Sequence, residues 1–312
     1  MRYLCVFFEE GRCVKRYFLA AAAAVFVLMM TSVTRAGDAK RYAVAVLPAP
    51  VLNTPDFPGI FGGRDGSALR TDRQGQIREL EFIALPGTVF VVHETVRNGS
   101  SVVHRVTTDD YPYPSATGYF VDDRFVRLTD EEPPPRSRTL PSRDEIIIRL
   151  LAARGSRYVW GGNVRAGVSA MVDFFHPPGR LPAETNRRWR LQGLDCSGLL
   201  YEATNGVTPR NTSELTGFGR GVPIAGLSVE AIRRRLEPLD LIAWKGHVII
   251  VLDRERTIES RLGPVPGVRD GVVVRPLGEV LAEVMTGRTP SDRFRDAYGQ
   301  GEKTFVVRRW YE

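Results

Sequence analysis

Cysteine is scarce in this chain: three in 312 residues, and two of them, Cys5 and Cys13, precede a short apolar run. If that run is an export signal, the mature chain carries one thiol, Cys196, into a compartment where cysteines normally pair. An internal disulfide framework is thereby excluded. Histidine is nearly as sparse, with His93, His104, His176 and His247 making four. His176, Asp173 and Glu184 lack the compact spacing of a zinc site, so no metal site is read and no cofactor is expected. Long apolar stretches are missing as well. The run over residues 18–30 has 13 residues, short of the roughly 18 that a membrane span needs. No Lys/Arg block interleaved with aromatics occurs, which argues against nucleic acid as a partner.

What is present begins with Lys15 and Arg16, then that apolar run, then Thr31-Ser32-Val33-Thr34-Arg35-Ala36. The order predicts a Sec signal peptide over residues 1–36, cleaved after Ala36. No cysteine directly follows the run, so neither a lipoprotein anchor nor another stable membrane anchor is expected. Export places the protein in the periplasm or cell envelope. Five basic and two acidic residues leave with the signal, and the net charge falls from +7 to +4. The remainder is long for one domain and comfortable for two.

A boundary is legible at residues 130–141, where Asp130-Glu131-Glu132-Pro133-Pro134-Pro135-Arg136-Ser137-Arg138 reads as a proline-rich linker. Upstream, residues 37–129 hold short β-branched and aromatic runs at 42–46, 80–85, 89–93, 102–107 and 119–128, with turns between them. They predict a small all-β domain. Gly59–Gly66 has no strand-to-helix context and reads as a mobile loop. Downstream, residues 142–312 open with the capping box Ser142-Arg143-Asp144-Glu145. A helix is predicted from Cys196 to about Thr204, another over 228–236, and strands at 239–244, 247–252, 257–260, 272–274 and 305–310. Helices followed by an antiparallel sheet predict an α+β domain.

A cysteine attacks as the thiolate, so its site must favour the negative sulfur. A helix beginning at Cys196 does so through its unsatisfied N–H groups and dipole. Asp195 is placed to cap that helix, and Gly198 allows close approach of another segment. His247 opens an apolar strand. A turn centred on Asp253 pairs residue 247 with 259, 249 with 257 and 251 with 255, which sets Glu259 beside His247 on one face. That is the arrangement in which a carboxylate orients an imidazole base. Taken singly, His247 also reads as an ordinary strand-end histidine, Glu259 as a solvated hairpin charge, and Cys196 as a small buried apolar residue.

Tyr158-Val159-Trp160-Gly161-Gly162, Asp195-Cys196-Ser197-Gly198-Leu199, Pro209-Arg210, Pro238-Leu239-Asp240-Leu241 and Gly246-His247-Val248 follow in that order. Over about residues 142–260 this series resembles the NlpC-type cell-wall cysteine peptidases, a papain-like family. The resemblance implies Cys196 as nucleophile, His247 as general base and Glu259 as the orienting third residue. It implies Tyr158 beside the sulfur, and Asp195 and Ser197 on the peptide backbone or its free amine. The implied substrate is a peptidoglycan stem peptide, cut between γ-D-glutamate and a diamino acid by a monomeric enzyme. Three departures stand out. Residues 163–194 form an insertion, either folded over the site or decorating the surface. Leu239 replaces a usual glycine, and Glu259 stands where His or a neutral amide is commoner. The strand-rich first region resembles bacterial SH3-like barrels by pattern and position. Two rival readings are an inactive wall-binding domain and a Cys-His amidase or acyltransferase acting on another substrate.

Overall fold

A computed structural model describes residues 40–63, 65–98, 101–177, 179–263, 270–294 and 303–311. The expected signal peptide lies outside the described residues. From Lys40 onward the chain forms one compact unit.

Seven strands build the first sheet: β1 (Arg41–Ala45), β2 (Ala49–Leu52), β3 (Leu80–Ala84), β4 (Val89–Asn98), β5 (Ser101–Thr107), β6 (Tyr119–Asp122) and β7 (Val126–Thr129). Their order is β3-β2-β6-β5-β4-β1-β7, and every pairing is antiparallel. The all-β character expected here is present. Closure into a barrel is not, because the edge strands β3 and β7 do not pair with each other among the described residues. The glycine-rich stretch also departs from expectation. Asp56 caps a helical turn at Phe57–Ile60, and Phe61–Gly62 pairs with Ala68–Leu69. Phe57, Ile60 and Phe61 are buried in the sheet's core, so apolar anchoring outweighs the freedom of the glycines.

The second region begins with α1 (Arg143–Ala152), whose Ser142 Oγ accepts from the Glu145 N–H at 3.3 Å. Ile146 and Leu150, one turn apart, form its buried face. Then come α2 (Cys196–Ala203), β8 (Arg220–Val222), α3 (Val229–Arg235), β9 (Leu241–Trp244), β10 (His247–Val251), β11 (Arg256–Arg261), β12 (Gly271–Pro276), α4 (Leu277–Gly287) and β13 (Thr304–Arg309). The strands run β8-β13-β9-β10-β11-β12 in antiparallel pairs. Side chains alternate between two cores. Val248 and Ile250 pack with Ile146, Leu150, Leu199 and Leu200 of α1 and α2. Ile249 and Val251 pack with Ile232 of α3 and with Leu277, Val280 and Leu281 of α4. Burial on both faces explains why β10 is an unbroken apolar run rather than an alternating one.

Leu239 has φ 71°, in the left-handed region where glycine is at ease. Its N–H donates to Val251 O at 2.8 Å, and its side chain is buried against α1 and α2. The buried side chain offsets backbone strain of about 1–2 kcal/mol.

The insertion neither roofs the site nor decorates the surface. Val168, Met171, Phe175, Trp189 and Leu191 belong to the core of the first sheet. Phe175 lies against Phe57 and Phe61, with ring centroids 6.2 and 5.2 Å away, and Trp189 Nε1 donates to Phe175 O at 2.9 Å. Asn163 adds a polar latch to this apolar one. Its Oδ1 accepts from the Ile83 N–H and its Nδ2 donates to Ile83 O, both at 2.8 Å, so the amide occupies the open edge of β3 as another strand would.

Candidate active site

Cys196 is the first residue of α2, and local sequence explains why the helix starts there. Asp195 is extended, and its Oδ1 accepts from the Gly198 N–H at 2.6 Å. This is the N-cap arrangement. A side chain at position 198 would put its Cβ 2.0 Å from Gly162 O, so glycine lets the 162–163 segment lie against the helix. Behind it, Arg210 is 2 % exposed and bridges the words that the sequence keeps apart. Its guanidinium reaches both oxygens of Asp195 at 3.0 and 2.6 Å, Ser197 Oγ at 2.8 Å and Asn163 Oδ1 at 3.1 Å. A charge so desolvated persists because a carboxylate faces it bidentately.

His247 follows a tight turn. Trp244 pairs with His247, and between them Gly246 takes φ 100°, which a side chain would resist. The Gly246 N–H donates to Thr212 Oγ1 at 3.0 Å, and Gly246 O lies 4.0 Å from the Cys196 sulfur. Thus the turn that launches β10 also packs on Cys196. His247 Nε2 is 2.7 Å from Glu259 Oε2, and the Cys196 thiol lies near enough to act on the ring as well. With Nε2 on the carboxylate, Nδ1 is the nitrogen left to face sulfur. Burial alone would push the imidazolium pKa down. The hydrogen bonds and charges of Cys196 and Glu259 outweigh it and raise the pKa from 6.5 to about 9. Burial likewise opposes charge on Glu259, but His247, Arg261 and Arg275 hold that carboxyl below the usual range.

The register that brings Glu259 to His247 differs from the expected one. Ile250 pairs with Ile258 and Val251 with Thr257, two residues along from pairing 247 with 259. Asp253 is the cause. Its Oδ1 accepts from the N–H groups of Glu255 and Arg256, widening the turn. A slip of two keeps every side chain on its face, so Glu259 still meets the imidazole, diagonally rather than directly across.

Tyr158 bridges to Leu194, two residues before Cys196, and is buried. Burial and the neighbouring Cys196 and Asp195 charges push its phenol far up, so it stays a neutral donor. Asp195 and Ser197, expected on the substrate, are buried and bound to Arg210. As placed, they serve the start of α2 rather than an open surface. Arg210, whose role the sequence left unassigned, is what ties them. The other histidines lie elsewhere: His104 is buried between Asp123 and Thr95, His93 meets Thr107, and His176 is exposed in the insertion.

No family model and no curated protein matches this sequence. Two solved structures are similar in fold. A Bacillus cereus NlpC/P60 family protein overlays at TM-score 0.31 with 15% identity, covering 87% of this chain and 63% of that one. RipD from Mycobacterium tuberculosis, described as a non-catalytic NlpC/p60 domain protein adapted to peptidoglycan binding, overlays at TM-score 0.30 with 21% identity. It covers 53% of this chain and 95% of its own. Both are NlpC/P60 proteins. At such TM-scores neither likeness carries weight for function; the geometry around Cys196 does.

A cleft of about 300 Å³ opens beside the imidazole. Tyr158, Trp244, Gly246, His247, Glu259, Arg261, Arg275 and Glu283 are among the residues that line it. Arg275 donates to Glu259 Oε1 at 3.2 Å with one nitrogen and pairs with Glu283 through another. Arg261 sits farther from both carboxylates, at 3.7 and 3.8 Å. The site thus holds a sulfur at a helix start, a base held between that sulfur and a carboxylate, and an adjoining polar cleft.

Proposed function

We propose that this protein is an exported cysteine endopeptidase that hydrolyses peptidoglycan stem peptides, at the bond between γ-D-glutamate and a diamino acid. The observation that carries the reading is His247 hydrogen-bonded to Glu259 at 2.7 Å, with the Cys196 thiol as the other neighbour that favours its charged form. That is the relay a thiol needs to act as nucleophile at neutral pH.

The steps follow from the geometry. The Cys196 thiolate adds to the amide carbonyl and forms a C–S bond. The charge that develops on oxygen is met by the Cys196 and Ser197 N–H groups, the first of α2, which have no acceptor among the described residues. The imidazolium then gives its proton to the leaving nitrogen, and the C–N bond breaks. His247 next takes a proton from water, whose oxygen attacks the thioester and expels the thiolate. Glu259 keeps the ring oriented and its charged form favoured throughout. Tyr158 borders the scissile bond, while Asp195, Ser197 and Arg210 fix the helix start.

The test is mass spectrometry of residues 37–312 incubated with soluble stem peptides, beside Cys196→Ala. L-alanyl-D-glutamate released by the unaltered chain alone supports the endopeptidase. Binding without cleavage, under reducing conditions and across pH, would instead favour a wall-binding domain like the one RipD's description names. A product heavier by an acceptor rather than by water would indicate an acyltransferase.

A further inference from the structure

We infer that Arg261 forms a carboxylate-binding subsite on the leaving-group side of the cleft, selecting a diamino acid with a second carboxylate at the end of its side chain. The inference rests on the peptidase reading for its substrate class and on the cleft itself for its chemistry.

Three observations converge. Arg261 lines the cleft with His247, and its side chain is 28% exposed there. Among the described residues its guanidinium donates no hydrogen bond. The nearest carboxylate oxygens, on Glu259 and Glu283, lie at 3.7 and 3.8 Å, beyond hydrogen-bonding distance. Arg275, on the neighbouring strand, is already committed to the same two carboxylates at closer range. It therefore neutralises Glu259 and leaves the Arg261 fork open. A guanidinium with five donors and no close acceptor suits a planar carboxylate, which it binds bidentately.

The register gives the side of the bond. Ile250 pairs with Ile258, so alternation along β10 and β11 puts Arg261 on the face that carries His247 and Glu259, and all three line the cleft. His247 protonates the departing amine, so the amine fragment lies on its side of the cleft, within reach of an arginine. In the proposed cleavage that fragment is the diamino acid. A diaminopimelate side chain ends in a carboxylate that can take up the open donors of Arg261, and a lysine side chain ends in a cation that it repels. Trp244, which lines the cleft, carries Arg288 over its ring at 4.5 Å.

The experiment compares three tripeptides, L-alanyl-γ-D-glutamyl with diaminopimelate, with its side-chain carboxamide, or with lysine. The whole exported chain, Arg261→Gln and Arg261→Lys are each assayed for kcat/KM. The unaltered chain is expected to prefer diaminopimelate by about tenfold or more, the scale of a charge-assisted bidentate contact. Arg261 also faces Glu259, so Arg261→Gln should cost something on every peptide, but it should lose that advantage by slowing the diaminopimelate peptide most, and Arg261→Lys should restore part of it. Values within twofold for all three peptides, or an equal loss on all three in Arg261→Gln, would overturn the subsite. Calorimetric binding of the same peptides to Cys196→Ala separates this inference from the peptidase reading. Selective binding without hydrolysis by the unaltered chain keeps the subsite and removes the peptidase. Equal or absent binding removes the subsite, whatever the activity.

Discussion

Glu259→Gln isolates what the carboxylate does for the imidazole. The substitution preserves shape and removes charge. Raising the His247 pKa from 6.5 to about 9 corresponds to about 3 kcal/mol favouring the imidazolium. That sum is net of burial and shared between Cys196 and Glu259. Removing one close opposite charge should move the titration midpoint down by about one pH unit or more. The change also leaves Arg261 and Arg275 facing a neutral amide, and their uncompensated charge pushes in the same direction. NMR titration of ¹³C-labelled imidazoles reads the midpoint without a substrate. With four histidines in the chain, His247→Gln assigns the signal. A His247 that titrates near 6.5 in the unaltered chain, or a midpoint unmoved by Glu259→Gln, refutes the electrostatic account. Stability should follow the same linkage. Because the folded pKa lies above the unfolded one, the stabilisation is fully present below pH 6.5 and is lost as pH rises through about 9. The urea midpoint should fall across that window, and fall less in His247→Gln.

Two further substitutions probe the scaffold. Arg210→Met strands the buried Asp195 carboxylate and should cost about 3–5 kcal/mol in chemical denaturation. Pairing it with Asp195→Asn should recover part of that loss. Gly198→Ala drives a methyl into Gly162 O, 2.0 Å away, and should destabilise by about 1–3 kcal/mol; its urea unfolding curve measures this.

Local chemistry made half of this site legible in the sequence. Asp195 before Cys196 announces a capped helix, and the capping box at Ser142 announces another, because both signals act within four residues. The period of two along a strand put Glu259 on His247's face even though the assumed turn was too tight. The turn itself depended on an Asp253 side chain competing for backbone N–H groups, which hydrophobic patterning does not record. The amphipathic α4, with Leu277, Val280, Leu281 and Val284 spaced for one face, was readable and went unread. The fate of residues 163–194 lies at the other extreme. Phe174, Phe175 and Trp189 say that the segment must be buried, but not against what, since their partners are 50 to more than 100 residues away in the sequence. Arg210 was hidden for the same reason, its partners Asn163, Asp195 and Ser197 meeting only when the chain has closed.

The amide of Asn163, seated on the open edge of β3 while its oxygen also receives Arg210, makes the two halves of this protein poor candidates for exchange. A module that merely delivers a catalyst to its target can be replaced by any other of similar affinity. Here a recombined partner would have to offer a strand edge in register with one side chain and a socket for Phe175 and Trp189. Without them the Asn163 amide loses its backbone partners and the first strands keep a bare edge open to pairing with other chains. The halves are therefore tied through Asn163, whose replacement would free the backbone of residue 83 and one Arg210 donor at once.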